Sequence, residues 1–323
     1  MKRSRTLVPL IALFVLAACS AGPPLRQVSR CRLGTTYGVV LEGDHAYVTG
    51  NRGVSIVDVS QPQRPKKVGK ISTEEAVFGL SVHEDLAYVM GGGEGLIVVD
   101  VSDPASPQRL GQYRIGAVVS RGYVAYPYAY VATYDQGLFI LDVGEASAPV
   151  LIAQIDDIGR AAGITVREDI AYVADLDSGL QVIDVADPTS PQKVRTVPRT
   201  GGAWDVHAYG DWLYVGCHGN GVRVLDATDR LSPKVVGAFN DGGDGEALDV
   251  WGDGRFLYVS DNMDGVEVLD VRDPTAPQEI AQYDKNETSH GLTVEGEYIY
   301  ATIGGGIRGW GLLVLEFQED AVN

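Results

Sequence analysis

The chain has 323 residues, of which 45% are hydrophobic, and its 43 acidic residues against 26 basic ones give a formal net charge of −17. Such an acidic surface repels phosphate backbones and anionic headgroups, so nucleic acid is not an expected partner. Three cysteines are too few for a disulfide framework, and no zinc-ligand spacing appears among them.

Residues 1–19 have the organisation of an export signal. Three basic residues lie within the first five positions, and residues 7–18 form an apolar stretch of 12, too short to cross a bilayer as a helix. The stretch ends in Leu-Ala-Ala-Cys19, which resembles the lipobox of bacterial lipoproteins. The resemblance implies lipidation of Cys19, and Ser20 after it implies transfer to the outer membrane. An ordinary signal peptide with a coincidental cysteine is the alternative. Residues 20–24 are then a short tether.

A Tyr-Val dipeptide, or a close variant of it, returns at intervals of 41 to 44 residues. A period in the forties made of short β-type runs predicts a β-propeller with one four-stranded blade per repeat. The marker tyrosines are Tyr47, Tyr88, Tyr130, Tyr172, Tyr214, Tyr258 and Tyr300.

Each repeat can be divided into four predicted strands. The second repeat shows them as GLSVHED (79–85), a run around Tyr88, GLIVVDV (95–101) and PQRLGQY (107–113). Alternation of apolar and polar residues is typical of half-buried strands, and glycine before the third strand supplies the positive φ of a tight hairpin. The aspartate that ends the third strand is expected to accept hydrogen bonds from the following turn.

The two ends of the chain predict how the ring closes. The seventh repeat ends after its third strand, at residue 317, while residues 25–36 resemble an unpaired fourth strand. We therefore expect an all-β, seven-bladed propeller over residues 25–317, in which the N-terminal strand completes the last blade. Residues 318–323 are a C-terminal tail.

The third strands read VSIVD, LIVVD, LFILD, LQVID, VRVLD and VEVLD, with LLVLE as the divergent last copy. With DVSDPASP (100–107) and DVADPTSP (184–191), they resemble the LVIVD repeat family of bacterial surface and exported proteins. The resemblance covers nearly all of the chain after Cys19. It implies a β-propeller in an extracytoplasmic setting, but it implies no activity and no functional residue.

Departures from the repeat indicate where a site lies. Nine residues before the marker tyrosine, four repeats carry glycine, whereas the other three carry Arg121, Asp205 and Asp249. These side chains are expected to meet at one mouth of the central channel, either as a site for a polar ligand or cation or as an internal ion pair that closes the channel.

Further candidates lie on the same inner strands and on the loops beside them. The inner strands contribute Trp204, His207, Trp251 and His290, and the longest loops contribute Asp241, Asp244, Glu246, Arg308 and Trp310. Long loops on a rigid scaffold often carry binding sites. Trp204, Trp251 and Trp310 are predicted either to form a stacking surface for a sugar ring or aromatic side chain, or to pack in the core.

Two chemical alternatives remain open. The segments 175–179 and 261–265 place oxygen ligands at alternate positions, as calcium loops do, but they lack the full ligand set and coincide with regular turns. His207 with Asp205 or Asp249 could form an acid–base pair, although no known nucleophile or metalloprotease motif is present.

The sequence therefore favours a non-enzymatic binding or scaffolding lipoprotein that presents one propeller face to a protein or glycan. It is expected to be exported, held at the outer membrane by its lipid alone, monomeric and without a cofactor. An extracytoplasmic hydrolase or lyase with its site at the channel mouth is the alternative.

Overall fold

The computed structural model describes residues 24–240, 242, 245–284, 287–304 and 309–321. These residues form 28 strands in seven four-stranded antiparallel sheets, and a 3-10 turn at Glu319–Ala321 follows the last strand. Within these ranges, no helix has the length and apolar character that a membrane span requires. The predicted all-β, seven-bladed propeller is confirmed.

Each sheet is one blade, and in the first six blades the strands run in chain order from the inside of the ring to its outer edge, whereas the seventh takes its outermost strand from β1. The first four blades are β2(Thr36–Glu42) β3(His45–Gly50) β4(Gly53–Asp58) β5(Lys66–Ser72), β6(Gly79–His83) β7(Leu86–Gly91) β8(Gly95–Asp100) β9(Gln108–Tyr113), β10(Val119–Ala125) β11(Tyr128–Thr133) β12(Gly137–Asp142) β13(Val150–Ile155), and β14(Ala161–Arg167) β15(Ile170–Asp175) β16(Gly179–Asp184) β17(Gln192–Thr196). The last three are β18(Asp205–Tyr209) β19(Trp212–Gly216) β20(Val222–Asp226) β21(Lys234–Phe239), β22(Ala247–Gly252) β23(Phe256–Asp261) β24(Gly265–Asp270) β25(Gln278–Tyr283), and β26(Thr288–Glu295) β27(Tyr298–Gly304) β28(Gly311–Phe317) with β1(Leu25–Arg32).

The hydrophobic core lies between the blades. Seven apolar clusters fill the seven seams between consecutive blades, so each blade packs on both of its neighbours. All seven marker tyrosines are buried on second strands within these clusters. Burial of the tyrosine and of the alternating valines and isoleucines explains why the same residue types return in each repeat.

The repeat's polar positions form its turns, as predicted. In six blades the aspartate that ends the third strand accepts a hydrogen bond from the amide two residues further on, at 2.8–3.0 Å. The glycine that begins the third strand has a positive φ in blade 1, where Gly53 lies at 108°. A Cβ there would lie 1.9 Å from the carbonyl oxygen of Ile71, so the close approach of the fourth strand also requires glycine.

The ring is closed by the N-terminal strand. β1 pairs antiparallel with β28 from Leu25 opposite Phe317 to Arg32 opposite Gly311, and thereby supplies the fourth strand of blade 7. A bidentate pair between Arg30 and Glu287, at 3.0 and 2.5 Å, joins β1 to the segment before β26. Only 10% of the arginine side chain and 4% of the glutamate side chain are exposed, so closure involves an ion pair as well as the strand ladder.

The antiparallel order gives the ring two distinct faces. The upper face carries the segments that lead into each first strand and the hairpins between second and third strands. The lower face carries the other two sets of turns. Because β1 is a fourth strand, it starts at the lower face, where the amide of Gln318 donates to the carbonyl of Pro24 at 2.8 Å. The described chain therefore begins at the lower face.

Candidate functional site

The inner strands keep the register that the marker tyrosine predicts. The residue seven positions before each tyrosine is its direct cross-strand partner, as with His207 opposite Tyr214 and Trp251 opposite Tyr258. Counting back from the tyrosine therefore gives equivalent positions around the channel. At nine positions before, the blades contribute either glycine or one of the three charged residues.

Arg121, Asp205 and Asp249 form an ion cluster across the channel, here named the channel triad. Nη1 of Arg121 donates to Oδ1 of Asp205 at 3.0 Å and to Oδ1 of Asp249 at 2.9 Å. A quarter of the Arg121 side chain is exposed, against 9% and 13% for the two carboxylates. The three residues come from blades 3, 5 and 6, so the triad links blades across the centre of the ring. The predicted internal ion pair is present.

The remaining carboxylate oxygens of the triad are also engaged. Oδ2 of Asp205 accepts from the amide of Val250 at 3.2 Å, and Oδ2 of Asp249 accepts from the amide of Leu292 at 2.9 Å. Burial raises the pKa of Asp249, and Asp205 adds to this rise while Arg121 opposes it. Burial alone would lower the pKa of Arg121, but the two aspartates outweigh it and hold that pKa above its usual value.

A cavity of about 260 Å³ lies in the channel beside the triad. Its lining includes Tyr123, His207 and Trp251, each seven positions before a marker tyrosine. The rings of His207 and Trp251 lie 5.4 Å apart at 35°. Burial lowers the pKa of His207 to about 4 in spite of nearby Asp249, so the imidazole is neutral at physiological pH. A base this weak is poorly matched to proton abstraction near neutrality.

The upper mouth of the channel is bordered by three aromatic pairs, together named the aromatic rim. The residue ten positions before the marker tyrosine lies at a register shift in blades 1, 3, 4, 6 and 7. Such bulges re-aim side chains. The pairs are Tyr37–Phe78 with centroids 4.7 Å apart, Trp204–His218 at 5.5 Å and His290–Trp310 at 5.4 Å.

Hydrogen-bonding groups accompany two of these pairs. Glu246 approaches Nε2 of His218 at 3.2 Å through Oε1 and accepts from the side-chain amide of Asn262 at 2.9 Å through Oε2. The hydroxyl of Tyr37 donates to the side-chain oxygen of Asn51. Phe78 is 38% exposed, and the other rim residues are half-buried or exposed. The upper mouth therefore combines accessible ring faces with polar side chains.

The predicted site residues lie at two places in the channel, namely at its upper mouth and around the cavity beside the channel triad. Trp204, His290 and Trp310 belong to the aromatic rim, whereas His207 and Trp251 line the cavity. Of the two alternatives for the tryptophans, Trp251 fits the packing one, because it packs edge-on against Tyr258 with centroids 5.8 Å apart. Four predicted residues lie outside the described residues: Cys19, Asp241, Asp244 and Arg308.

The two calcium-like segments form ordinary turns in this structure. Oδ1 of Asp175 accepts from the amides of Asp177 and Ser178 at 2.9 and 3.3 Å. Oδ1 of Asp261 accepts from the amides of Met263 and Asp264 at 3.0 and 3.1 Å. Over the described ranges, no three His, Cys, Asp or Glu side chains are grouped as metal ligands would be. These carboxylates bind amides of the turns.

Three rim residues were not among the predicted site residues: Tyr37, Phe78 and His218. A signal for the first two exists in the sequence, since blades 1 and 2 both carry an aromatic residue ten positions before the marker tyrosine. His218 lies on the hairpin between β19 and β20 and reaches Trp204 only because the inner strand and this hairpin meet at the upper face.

Four blades carry glycine at the position that the triad residues occupy in the other three, and these glycines allow the inner strands to approach each other closely. A Cβ on Gly163 would lie 2.8 Å from Cα of Asp205. We therefore expect Gly163→Ala to lower the free energy of unfolding by about 1–3 kcal/mol, as overpacking does. Gly116→Ala is the matched control, since nothing lies within 4 Å of its Cβ position. Urea unfolding of both variants checks this, and equal midpoints would contradict it.

Comparisons with known proteins agree with this architecture. The model of the LVIVD repeat matches residues 33–73, 77–114, 124–157, 158–197, 200–241 and 244–285. Among solved structures, the chain is similar to the β-propeller domain of Cps50 (Swd1) from Myceliophteria thermophila, at 14% identity and a TM-score of 0.76 over 91% of this chain and 100% of that one. It is also similar to the computationally designed Ika8 protein, at 9% identity and a TM-score of 0.66 over 88% and 83%. A search of the curated proteins found no match.

Proposed function

The chain belongs to the LVIVD repeat family, and on this basis we propose that it is a non-enzymatic binding protein of the bacterial cell envelope. Its upper face takes a protein or glycan partner at the aromatic rim. The single observation that carries this proposal is the pairing of accessible aromatic rings around the upper mouth. Aromatic side chains that are partly exposed beside polar groups are typical of recognition surfaces.

The chemistry of the channel supports binding over catalysis. Each carboxylate oxygen of Asp205 and Asp249 already accepts a hydrogen bond, from Arg121 or from a main-chain amide. His207, which lines the same cavity, stays neutral because burial lowers its pKa in spite of nearby Asp249. A hydrolase or lyase would need a carboxylate or imidazole able to exchange a proton with substrate.

The position of Pro24, the first described residue, supports one orientation of the anchored protein relative to the membrane. We propose that Cys19 is lipidated and holds the protein at the outer membrane after export. Pro24 lies at the lower face, five residues after Cys19, and so short a segment spans at most about 18 Å. The lower face then lies near the membrane and the aromatic rim is directed away from it.

The rim offers two kinds of contact to one partner. The faces of Phe78 and Trp204 suit the apolar face of a sugar ring or an aromatic side chain. The neighbouring Asn51 and Glu246 can exchange hydrogen bonds with hydroxyls or amides of the same partner. A rigid ring that presents such groups needs little reorganisation to bind.

A pull-down experiment tests this assignment. The full-length protein, immobilised, is expected to retain a partner from a cell-envelope extract, and Phe78→Ala/Trp204→Ala is expected to weaken retention at least about tenfold, as loss of aromatic anchors does. The readout is the amount of each protein and glycan recovered from the beads.

Two tyrosines on the lower face provide the matched control. Tyr126 and Tyr209 are 52% and 48% exposed, and Tyr126→Ala/Tyr209→Ala removes a similar aromatic area. This variant is expected to retain the partner as the native protein does. If both double variants recover the same material in equal amounts, the upper face is not the binding surface.

A further inference from the structure

The net negative charge of the protein conceals a basic sector. Residues 24–72 carry eight Lys and Arg residues against three acids, whereas residues 73–323 carry 15 against 40. The basic segment comprises β1 and the whole of blade 1, so the positive charge is concentrated where the ring closes. Concentrated charge of one sign on a surface of the other sign attracts a ligand of matching charge locally.

A cleft lies within this sector, on the upper side of blade 1 next to β1. It has a volume of about 280 Å³ and is here named the seam cleft. Polar residues dominate its lining, including Thr35, Asn51, Arg52, Ser55, Lys67 and Lys70. This volume is just below the range of about 300–1,000 Å³ for small-molecule sites, so the cleft suits a small group.

The strand register directs cations and a hydroxyl into the seam cleft together. Ser55 on β4 pairs directly with Lys70 on β5, so their side chains project from the same face of blade 1. Nζ of Lys67 donates to Oγ of Ser55 at 3.0 Å, which fixes the ammonium beside the hydroxyl and leaves its other two protons for a ligand. Arg52 is contributed by the hairpin between β3 and β4.

The cations of the seam cleft lack acidic partners, in contrast with others of the same sector. Arg26 pairs with Glu316 and Arg30 with Glu287. No carboxylate of the described ranges forms an ion pair with Arg52, Lys67 or Lys70, and all three side chains are exposed. Three unpaired cations around one concavity repel each other and are stabilised by a bound anion.

We propose that the seam cleft is a binding site for a phosphate-type oxyanion, held by Arg52, Lys67 and Lys70 with Ser55 as an additional donor. The guanidinium offers a planar pair of donors and the two ammonium groups act as point charges, a combination that matches the several oxygens of such a group. The site is separate from the aromatic rim and does not depend on what the rim binds.

The oxyanion can come from a soluble phosphorylated compound or from a lipid headgroup. The seam cleft opens at the upper side of the ring, whereas the described chain begins at the lower side. A lipid anchor on Cys19 would therefore direct the cleft away from the membrane that holds it. This orientation favours a soluble source, and the two sources can be separated by experiment.

Isothermal titration calorimetry with inorganic pyrophosphate tests the site directly. The full chain with Cys19→Ser is used, so that no lipid contributes. We expect binding that weakens when salt is raised from about 20 to about 200 mM, because exposed charges are screened. Lys67→Ser/Lys70→Ser is expected to reduce the affinity at least about tenfold through loss of two charge-assisted contacts.

The control variant removes the same charge outside the cleft. Lys66→Ser/Lys234→Ser changes two exposed lysines that do not line the cleft, and less than about a twofold loss is expected because only the general field changes. Equal losses in the two double variants, or no binding of pyrophosphate to the parent chain at low salt, would overturn the proposal.

A co-sedimentation experiment with lipid vesicles identifies the source of the oxyanion. Co-sedimentation with phosphatidylglycerol vesicles that depends on Lys67 and Lys70, and that pyrophosphate displaces, assigns the site to headgroups. Binding of pyrophosphate without co-sedimentation assigns it to a soluble compound. Either result supports the oxyanion site.

Discussion

A chain that starts at Leu33, and so lacks β1, is expected to lose cooperative unfolding and to aggregate. The deletion removes the ladder between β1 and β28 and leaves β28 as an exposed apolar edge. It also removes Arg30 and leaves Glu287 as a buried carboxylate without its cation, which by itself costs about 3–5 kcal/mol. Domains are stable by only about 5–15 kcal/mol, so this loss alone removes a substantial fraction of the stability.

Differential scanning calorimetry of two truncated chains measures the effect. The control chain starts at Pro24 and keeps β1, and it is expected to unfold in one transition at the temperature of the full chain with Cys19→Ser. Addition of a synthetic peptide of residues 24–34 to the shorter chain is expected to restore part of the transition. If the two truncated chains melt at the same temperature, β1 does not hold the ring closed.

Most of the fold could be predicted from the sequence, because each blade makes the same contacts. Every marker tyrosine is buried in a seam between two blades, and every aspartate that ends a third strand accepts from the amide two residues further on, so the same sequence pattern returns in each copy. The closing strand could also be predicted, since the seventh repeat lacks a fourth strand and residues 25–36 resemble a fourth strand that belongs to no repeat. The seventh blade could be predicted in the same way, although the model of the LVIVD repeat does not match its residues.

The channel triad could also be predicted, because the regular register fixes which side chains share a level. Position nine before the tyrosine points across a narrow channel in each blade. An arginine and two aspartates at this position are therefore close enough to form ion pairs. Their amide partners, Val250 and Leu292, could not be predicted, since these depend on how closely neighbouring inner strands approach.

Half of the aromatic rim and the whole of the seam cleft escaped prediction for physical reasons. One position before the triad, register shifts break the strict alternation, so the direction of Tyr37 or His290 does not follow from counting. Trp251 keeps the regular register and therefore faces the cavity. The lysines of the seam cleft were not predicted as a site, because the net charge of the chain does not show how its positive and negative residues are distributed over the surface.

Arg121→Met is expected to lower the free energy of unfolding by about 3 kcal/mol at pH 8, the lower end of the range for breaking a buried ion pair, because a quarter of the arginine is exposed. Asp205 and Asp249 are then left close together deep in the channel without their cation. Urea unfolding followed by tryptophan fluorescence measures the loss.

The loss is expected to depend on pH. Without Arg121, burial and repulsion from Asp205 raise the pKa of Asp249 in the folded state still further above its unfolded value of about 3.9. A raised folded pKa means that the fold is favoured while the group is protonated and becomes less stable as pH rises through that pKa. The difference between Arg121→Met and the native protein is therefore expected to be smaller at pH 5.5 than at pH 8.

Two further variants separate this cause from a general loss of packing. Arg121→Met/Asp205→Asn/Asp249→Asn removes all three charges and is expected to recover most of the stability without the pH dependence, because neutral amides can still bond to one another and to the main chain. Arg160→Met breaks the exposed pair with Asp177 and is expected to change little at either pH. If Arg121→Met lost the same stability at both pH values and the triple variant recovered none, the cost would be that of an unfilled channel, and the charge of the aspartates would have no part in it.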